Sequence, residues 1–514
     1  MKKILGIIVV VAVIAAAVGA FVYLPGLDKD MENGIAAYIE SLPGDLKADK
    51  IKVSYLDKSV SIQGLKGTVT YFEGTQAEVN LATLTLEGCH FTASTVKGIR
   101  PIADKWAVSD VQVVTTSKPT KAMQEALKDM DMPAVAQSVH IKQAEGKSIS
   151  GDLLALGKIV QENLPQAQTM EAISSIVLGD IKVTGYESKT TVADQPLVMS
   201  VADFTGKEMS MRTAREHVWN TINVTLGGQG VLSIGKITLA KMSMPDFTSP
   251  VIEALEKGMG EDVLVDKALS ALKSEPLVLE GLVMEDVKCL VPLAAGTTLA
   301  RYSLDLKATD AKLHFKNSFT ELKLPVDTYK NLSMEAAMFA ASYGKDFLLN
   351  GNLDFDLERK NDTMRFTIAD LAFSDPSLAS IDFSGSFQPD GKGSSLGDIM
   401  ENSSDVYLEK AALSVVDHGA VDLAFKLAML MDKNANPDAA ALQKKREEVA
   451  LGAEQAAKAH PSEDIKKILQ GVVQLIRHPN SQLDITLSPE QPVAFSSDMD
   501  HLGATVTFKE NAAK

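Results

Sequence analysis

From Lys50 to Gly88 the chain reads KIKVSYLDKSVSIQGLKGTVTYFEGTQAEVNLATLTLEG, alternating apolar with polar residues and broken at Gly64, Gly67 and Gly74. Successive side chains on a strand point to opposite faces, so this period of two predicts antiparallel strands with one buried face, joined by short turns. Strand-like stretches recur at 176–186, 221–244, 277–290, 302–324, 347–357, 364–387, 406–416 and 483–487. Helical spacing separates them at 28–42, 120–130, 153–163, 250–272, 327–343 and 437–477. Within the last of these Pro461 breaks the helix, and Ser462 is placed to cap its second half.

Five strand stretches share a spacing of apolar, two residues, apolar, one residue, apolar. They are Leu81/Leu84/Leu86, Leu178/Ile181/Val183, Ile234/Ile237/Leu239, Leu279/Leu282/Met284 and Ile368/Leu371/Phe373. The middle pair often holds a glycine or an acid, as a turn or small bulge favours. Their separations follow no fixed period, so they hint at divergent strand–loop units rather than a strict repeat.

A second feature sets the address. Between Ile4 and Leu24 runs ILGIIVVVAVIAAAVGAFVYL, without a charge. As a helix at 1.5 Å per residue it spans about 30 Å, the hydrocarbon thickness of a bilayer. Lys2 and Lys3 precede it and Asp28, Asp30 and Glu32 follow, so the positive-inside rule leaves the N-terminus cytoplasmic and the bulk translocated. The alternative is a signal peptide cleaved near Ala20, after Val18-Gly19-Ala20, although the apolar run continues beyond a usual signal core.

Composition narrows the function classes. A net charge of −16, with no basic stripe interleaved with aromatics, excludes nucleic acid as a partner. Aromatic residues make up only 5% against 45% hydrophobic, so the apolar mass is Leu, Ile, Val, Ala and 20 Met. Such strands suit either a packed core or a groove that accepts acyl chains. Cys89 and Cys289 are the only cysteines, and sequence leaves their pairing open. Sequons stand at Asn223, Asn331, Asn361 and Asn402, near the number expected for this length.

No constellation of catalytic residues emerges. Gly393-Ser-Ser395-Leu-Gly397 has the G-x-S-x-G form, but a flexible Gly-rich loop precedes it where a nucleophile elbow needs a strand. Gly230 to Gly235-Lys236 approaches a phosphate-binding loop, yet Ile237 replaces the magnesium-binding hydroxyl. Met209/Met211 and Met242/Met244 read as strand-face packing rather than copper ligands. Cys89-His90 has no partner ligands in sequence, and Asp354/Asp356 reads as a solvated strand face. The expectation is therefore no enzyme, no cofactor and no metal site.

The basic start, the single apolar helix, and KVSYLDKSVSIQGLKGTV followed by VNLATLTLEG resemble AsmA-like proteins of Gram-negative bacteria. Residues 480–495, NSQLDITLSPEQPVAF, are similar to other single-pass bacterial envelope proteins. The resemblance implies an inner-membrane anchor, a β-rich periplasmic region and a part in lipid traffic or envelope maintenance; it brings no catalytic residues. The expected fold is α+β. An N-terminal transmembrane helix (residues 1–27) leads into an elongated, repeat-like antiparallel region with interspersed helices, divided into residues 28–275 and 276–514. The expected function is non-enzymatic lipid binding or transport at the membrane. The alternatives are a structural protein binding another envelope protein and, behind it, an exported hydrolase using Ser395.

Overall fold

The computed structural model describes residues 28–41, 44–72, 75–90, 98–117, 135–152, 155, 174–192, 195–246, 271–291, 294–360, 363–391, 403–431, 438–495 and 501–510. The apolar run Ile4 to Leu24, the helix expected at 120–130, those expected at 153–163 and 250–272 except for Ala155, Ala271 and Leu272, and Ser395 lie outside them. Among the described residues no helix is long and apolar enough to cross a membrane. The chain divides into two compact units between Leu282 and Val283. Both are built on antiparallel sheet with a few helices.

In the first unit, helix α1 (Asp28–Ser41) precedes a meander. It comprises β1 (Lys50–Ser54), β2 (Ser59–Phe72), β3 (Thr75–Glu87), β4 (Arg100–Ser117), β5 (Val135–Gly151), a short β6 (Val177–Leu178), β7 (Ile181–Val192), β8 (Gln195–Lys207), β9 (Thr213–Leu226) and β10 (Gln229–Ser243). Strands β1 to β5 pair in chain order, β5 pairs with β6 and β7, and β7 to β10 again pair in order. One face forms the core. Ala77, Val79, Leu81, Leu84 and Leu86 of β3 are all buried, as are Trp106, Val108, Val111 and Val113 of β4. Helix α1 adds Met31, Ile35 and Ile39 to the same cluster.

Alternation in β3 changes phase between Leu81 and Leu84, and in β4 between Val108 and Val111. The cause is a single interruption aligned across the sheet. Gly64, Ala82, Asp110, Lys142, Gly185, Ala202, Thr221 and Gly235, one on each long strand, face one another and step out of the pairing ladder. Every second one takes a left-handed φ: Gly64 64°, Asp110 47°, Gly185 65° and Thr221 52°. An extra residue in a strand bends it and shifts its side chains by one; repeated in register, it creases the sheet while keeping one face inward. A second row repeats the device nearer the strand ends at Gly88, Asp104, Ser148 and Gly179, with φ 65° at Gly88 and 66° at Ser148.

The five shared spacings fall on such interruptions. Leu81/Leu84/Leu86 brackets Ala82, Ile234/Ile237/Leu239 brackets Gly235, and Leu178/Ile181/Val183 brackets Gly179. Leu279/Leu282/Met284 brackets Gly281 (φ 63°) in β11 (Leu277–Cys289). Ile368/Leu371/Phe373 brackets a register shift in β15.

The second unit runs β12 (Thr298–Ala308), β13 (Lys312–Leu324), α2 (Val326–Tyr329), α3 (Met334–Tyr343), β14 (Phe347–Lys360), β15 (Thr363–Asp375), β16 (Ala379–Pro389) and β17 (Val406–Asp417). Helices α4 (Ala420–Met431), α5 (Ala439–Ala459) and α6 (Glu463–Arg477) follow, then β18 (Ser481–Leu487), β19 (Val493–Ala494) and β20 (Ala504–Glu510). Strands β12 to β18 pair in order, β20 closes on β18, and β19 adds to β17. The single helix expected over 327–343 is two, because the chain leaves the helical path after Lys330, and Ser333, in extended backbone, caps α3. Ser462 caps α6 by accepting from the Ile465 N–H. Gly471 lets α6 approach the sheet closely: a Cβ there would lie 2.6 Å from Val506 and 2.7 Å from Leu483. Arg477 ties α6 to α5 through Glu447 (2.9 Å) and Glu454 (3.0 Å).

Candidate apolar binding face

The two faces of the second unit's sheet differ sharply. Register places His314, Lys316 and Ser318 of β13 opposite Asp356, Asp354 and Asn352 of β14, all on one face. There Lys312 and His314 pair with Asp356 at 3.2 and 3.1 Å, and Lys316 with Asp354 at 3.3 Å. Asp354 and Asp356, expected as an ordinary solvated pair, are thus bound into a cross-strand charge ladder. Further along, Glu409 of β17 accepts from Ser386 Oγ (2.6 Å) and Arg365 Nε (2.8 Å). Burial alone would push the Glu409 carboxyl up, but these donors outweigh it and hold it below its ordinary value.

Apart from Asn317 of β13, the opposite face is apolar from strand to strand. Leu306 faces Phe315, Phe315 faces Phe355, Phe366 faces Leu357 and Phe387, and Leu408 faces Phe387. Phenylalanine rings make a row across it: Phe315–Phe355 5.3 Å, Phe355–Phe366 5.4 Å, Phe366–Phe387 6.4 Å and Phe387–Phe495 6.1 Å between centroids. Two glycines on this face let rings lie over the backbone. A Cβ on Gly351 would meet the Phe319 ring at 2.3 Å, and one on Gly385 would meet Phe387 and Phe383 at 2.9 and 3.2 Å. The result is an aromatic floor with its peptide groups already paired in the ladder.

This floor is open. Its described side chains are mostly half-buried, and Leu371 (39%), Ile381 (41%), Phe373 (44%) and Phe495 (46%) are exposed. The inward face of the first unit contrasts with it, since Ile62, Leu81, Leu84 and Leu86 there are at most 2% exposed. Six strands about 4.8 Å apart, β12 to β17, make a floor about 24 Å across, comparable with an extended fatty acyl tail. At the β18–β20 end α6 covers the same face, burying Leu483 and Ile485. Near β14 a cluster of Tyr329, Phe339, Tyr343 and Phe347 anchors α2 and α3, with centroids 4.8 to 6.0 Å apart.

The expected groove lining was aliphatic, yet the open face is rich in phenylalanine. Twelve of the 17 phenylalanines lie at or beyond Phe315, a concentration that the whole-chain average conceals.

Among the described residues the other sequence candidates do not converge on a reactive centre. Gly230 and Lys236 sit within strand β10. Cys89 and Cys289 are free thiols; burial pushes Cys89 up to about 12, which leaves it protonated and unreactive. His90 pairs with Asp104 at 2.8 Å. Met209 is buried and Met211, Met242 and Met244 are half-buried. Among the described residues no group of three His, Cys, Asp or Glu could hold a metal ion. Compared with family models, curated proteins and solved structures, the chain matches none.

Proposed function

We propose that this chain is a non-enzymatic envelope protein, held in the bacterial inner membrane by residues Ile4 to Leu24, that carries acyl chains of lipid on the phenylalanine-lined face of its second unit. The observation that carries the reading is the half-open floor of Phe315, Phe355, Phe366 and Phe387. An occupant of such a floor needs no hydrogen bonds, because the strands beneath already satisfy one another; this suits an acyl tail better than a peptide. Each methylene removed from water there contributes about 0.8 kcal/mol. The apolar N-terminal run, its flanking charges and the AsmA-like pattern of residues 51–88 support the periplasmic address and a part in lipid traffic or envelope maintenance.

The test is extraction of the full chain from membranes, followed by mass spectrometry of the lipid that stays bound. Lipid bound to the wild type and lost from Phe355→Asp supports the reading. A lipid-free wild type contradicts it. A protein held on the same face in place of lipid would make this a structural partner-binding protein.

A further inference from the structure

We infer that the end of the first unit's sheet where α1 begins rests on the lipid surface, with the turn Tyr55-Leu56-Asp57-Lys58 as its point of contact. The inference rests on the reading of Ile4 to Leu24 as a membrane anchor and adds a second, independent attachment.

Connectivity places this end near the bilayer. Only Pro25, Gly26 and Leu27 separate Leu24 from Asp28, a span of about 14 Å at full extension. Asp28 opens α1, and its carboxylate accepts from the Tyr55 N–H at 2.9 Å. One turn later Glu32 accepts from the Val53 N–H at 3.1 Å. With Met31, Ile35 and Ile39 in the core, α1 cannot swing away from the sheet, so the turn stays within the same short reach of the anchor.

The side chains at this end fit that position. Leu56 is 92% exposed and Tyr55 57%, at the tip of the β1–β2 hairpin. The pairing of β1 to β4 brings the beginning of β4 to the same end, and there Ile99 is 56% exposed. Among the described residues of the first unit, the large apolar side chains left this open are these three and Val114. Three of the four therefore gather where the chain leaves the apolar run. Lys58 and Arg100 flank them, both exposed. Tyrosine with a neighbouring cation is the pairing favoured at the headgroup level, where an apolar tip enters the interface by about 5–10 Å.

Tryptophan emission from the full chain in bilayer nanodiscs tests this, using lipids brominated along the acyl chain as quenchers and the wild type as baseline. Leu56→Trp and Ile99→Trp are expected to lose most of their added emission, and Val114→Trp to keep it. Tyr23→Trp reports the anchor itself. Quenching at Tyr23→Trp without quenching at Leu56→Trp or Ile99→Trp overturns the surface contact and leaves the anchor standing. Emission unquenched at all of these positions overturns both. A blue-shifted but unquenched Leu56→Trp assigns the tip to a protein partner and likewise overturns the contact.

Discussion

Thr221 on β9 faces Gly235 on β10 in the interrupted row, and it is Thr221 that takes the left-handed backbone, with φ 52°. A β-branched residue there carries a steric cost of about 1–2 kcal/mol, larger than the entropy a glycine adds to the unfolded chain. Thr221→Gly is therefore expected to stabilise the first unit by about 0.5–1 kcal/mol. Gly185→Val, on the same row at φ 65°, is expected to destabilise it by about 2 kcal/mol. Urea midpoints of the two variants against wild type check both; a destabilised Thr221→Gly would remove the crease as an explanation of the phase shift.

The crease also explains what could be read in the sequence and what could not. Strands β2 and β3 were legible because Gly64 and Ala82 sit between two clean runs of alternation. β4 and β5 went unread: Asp110 and Lys142 shift the phase midway, Asp104 and Ser148 shift it again, and a period of two never persists. Helix α4 went unread for another reason: AVDLAFKLAMLM is apolar apart from Asp422 and Lys426, and so short an apolar run fits a buried strand as well as a helix. The helices α1, α5 and α6 were legible through their stripes and through the break at Pro461. The apolar face is a property of register. Phe315, Phe355, Phe366 and Phe387 lie on four strands, and only the pairing of those strands makes them neighbours.

The two thiols separate by reactivity. Native alkylation at pH 8 is expected to modify half-exposed Cys289 and spare Cys89, whose thiol is pushed up to about 12 by burial. Cys89 becomes reactive on unfolding. Peptide mapping after labelling decides it, and modification of Cys89 in the folded chain would contradict the packing around it.

Acid sensitivity of the second unit is expected to involve Glu409. Its folded value lies below the ordinary 4.5 because Ser386 and Arg365 donate to it, outweighing burial. A depressed carboxylate contributes stability that is fully present above pH 4.5 and lost as pH falls through the folded value. Glu409→Gln is expected to lower stability at pH 7 and to flatten the loss below pH 4.5, as read by denaturation at a series of pH values. An unchanged pH profile would show that the cluster contributes nothing.

His217 sets a different window in the first unit. Burial lowers it below 6.5, opposed by the Lys207 carbonyl, and its ring packs 5.1 Å from Phe204 and 5.4 Å from Trp219. The unfolded chain then binds a proton near pH 6.5 that the folded one refuses, so stability is present above that value and falls as pH drops below it. His217→Gln is expected to lose some stability at pH 7.5 and to show little further loss between pH 6.5 and 5.5. A wild type equally stable across that interval would contradict the assignment.

The open phenylalanine face is the centre of the proposed function, and photo-crosslinking tests it most directly. Membranes carrying the full chain are loaded with a fatty acid bearing a photoreactive group on its tail, and crosslinked peptides are mapped by mass spectrometry. Adducts are expected on β13 to β16 around Phe315, Phe355, Phe366 and Phe387, and are expected to be lost in a folded Phe355→Asp/Phe366→Asp variant. Adducts absent from these strands, or unchanged in that variant, would contradict the proposed function.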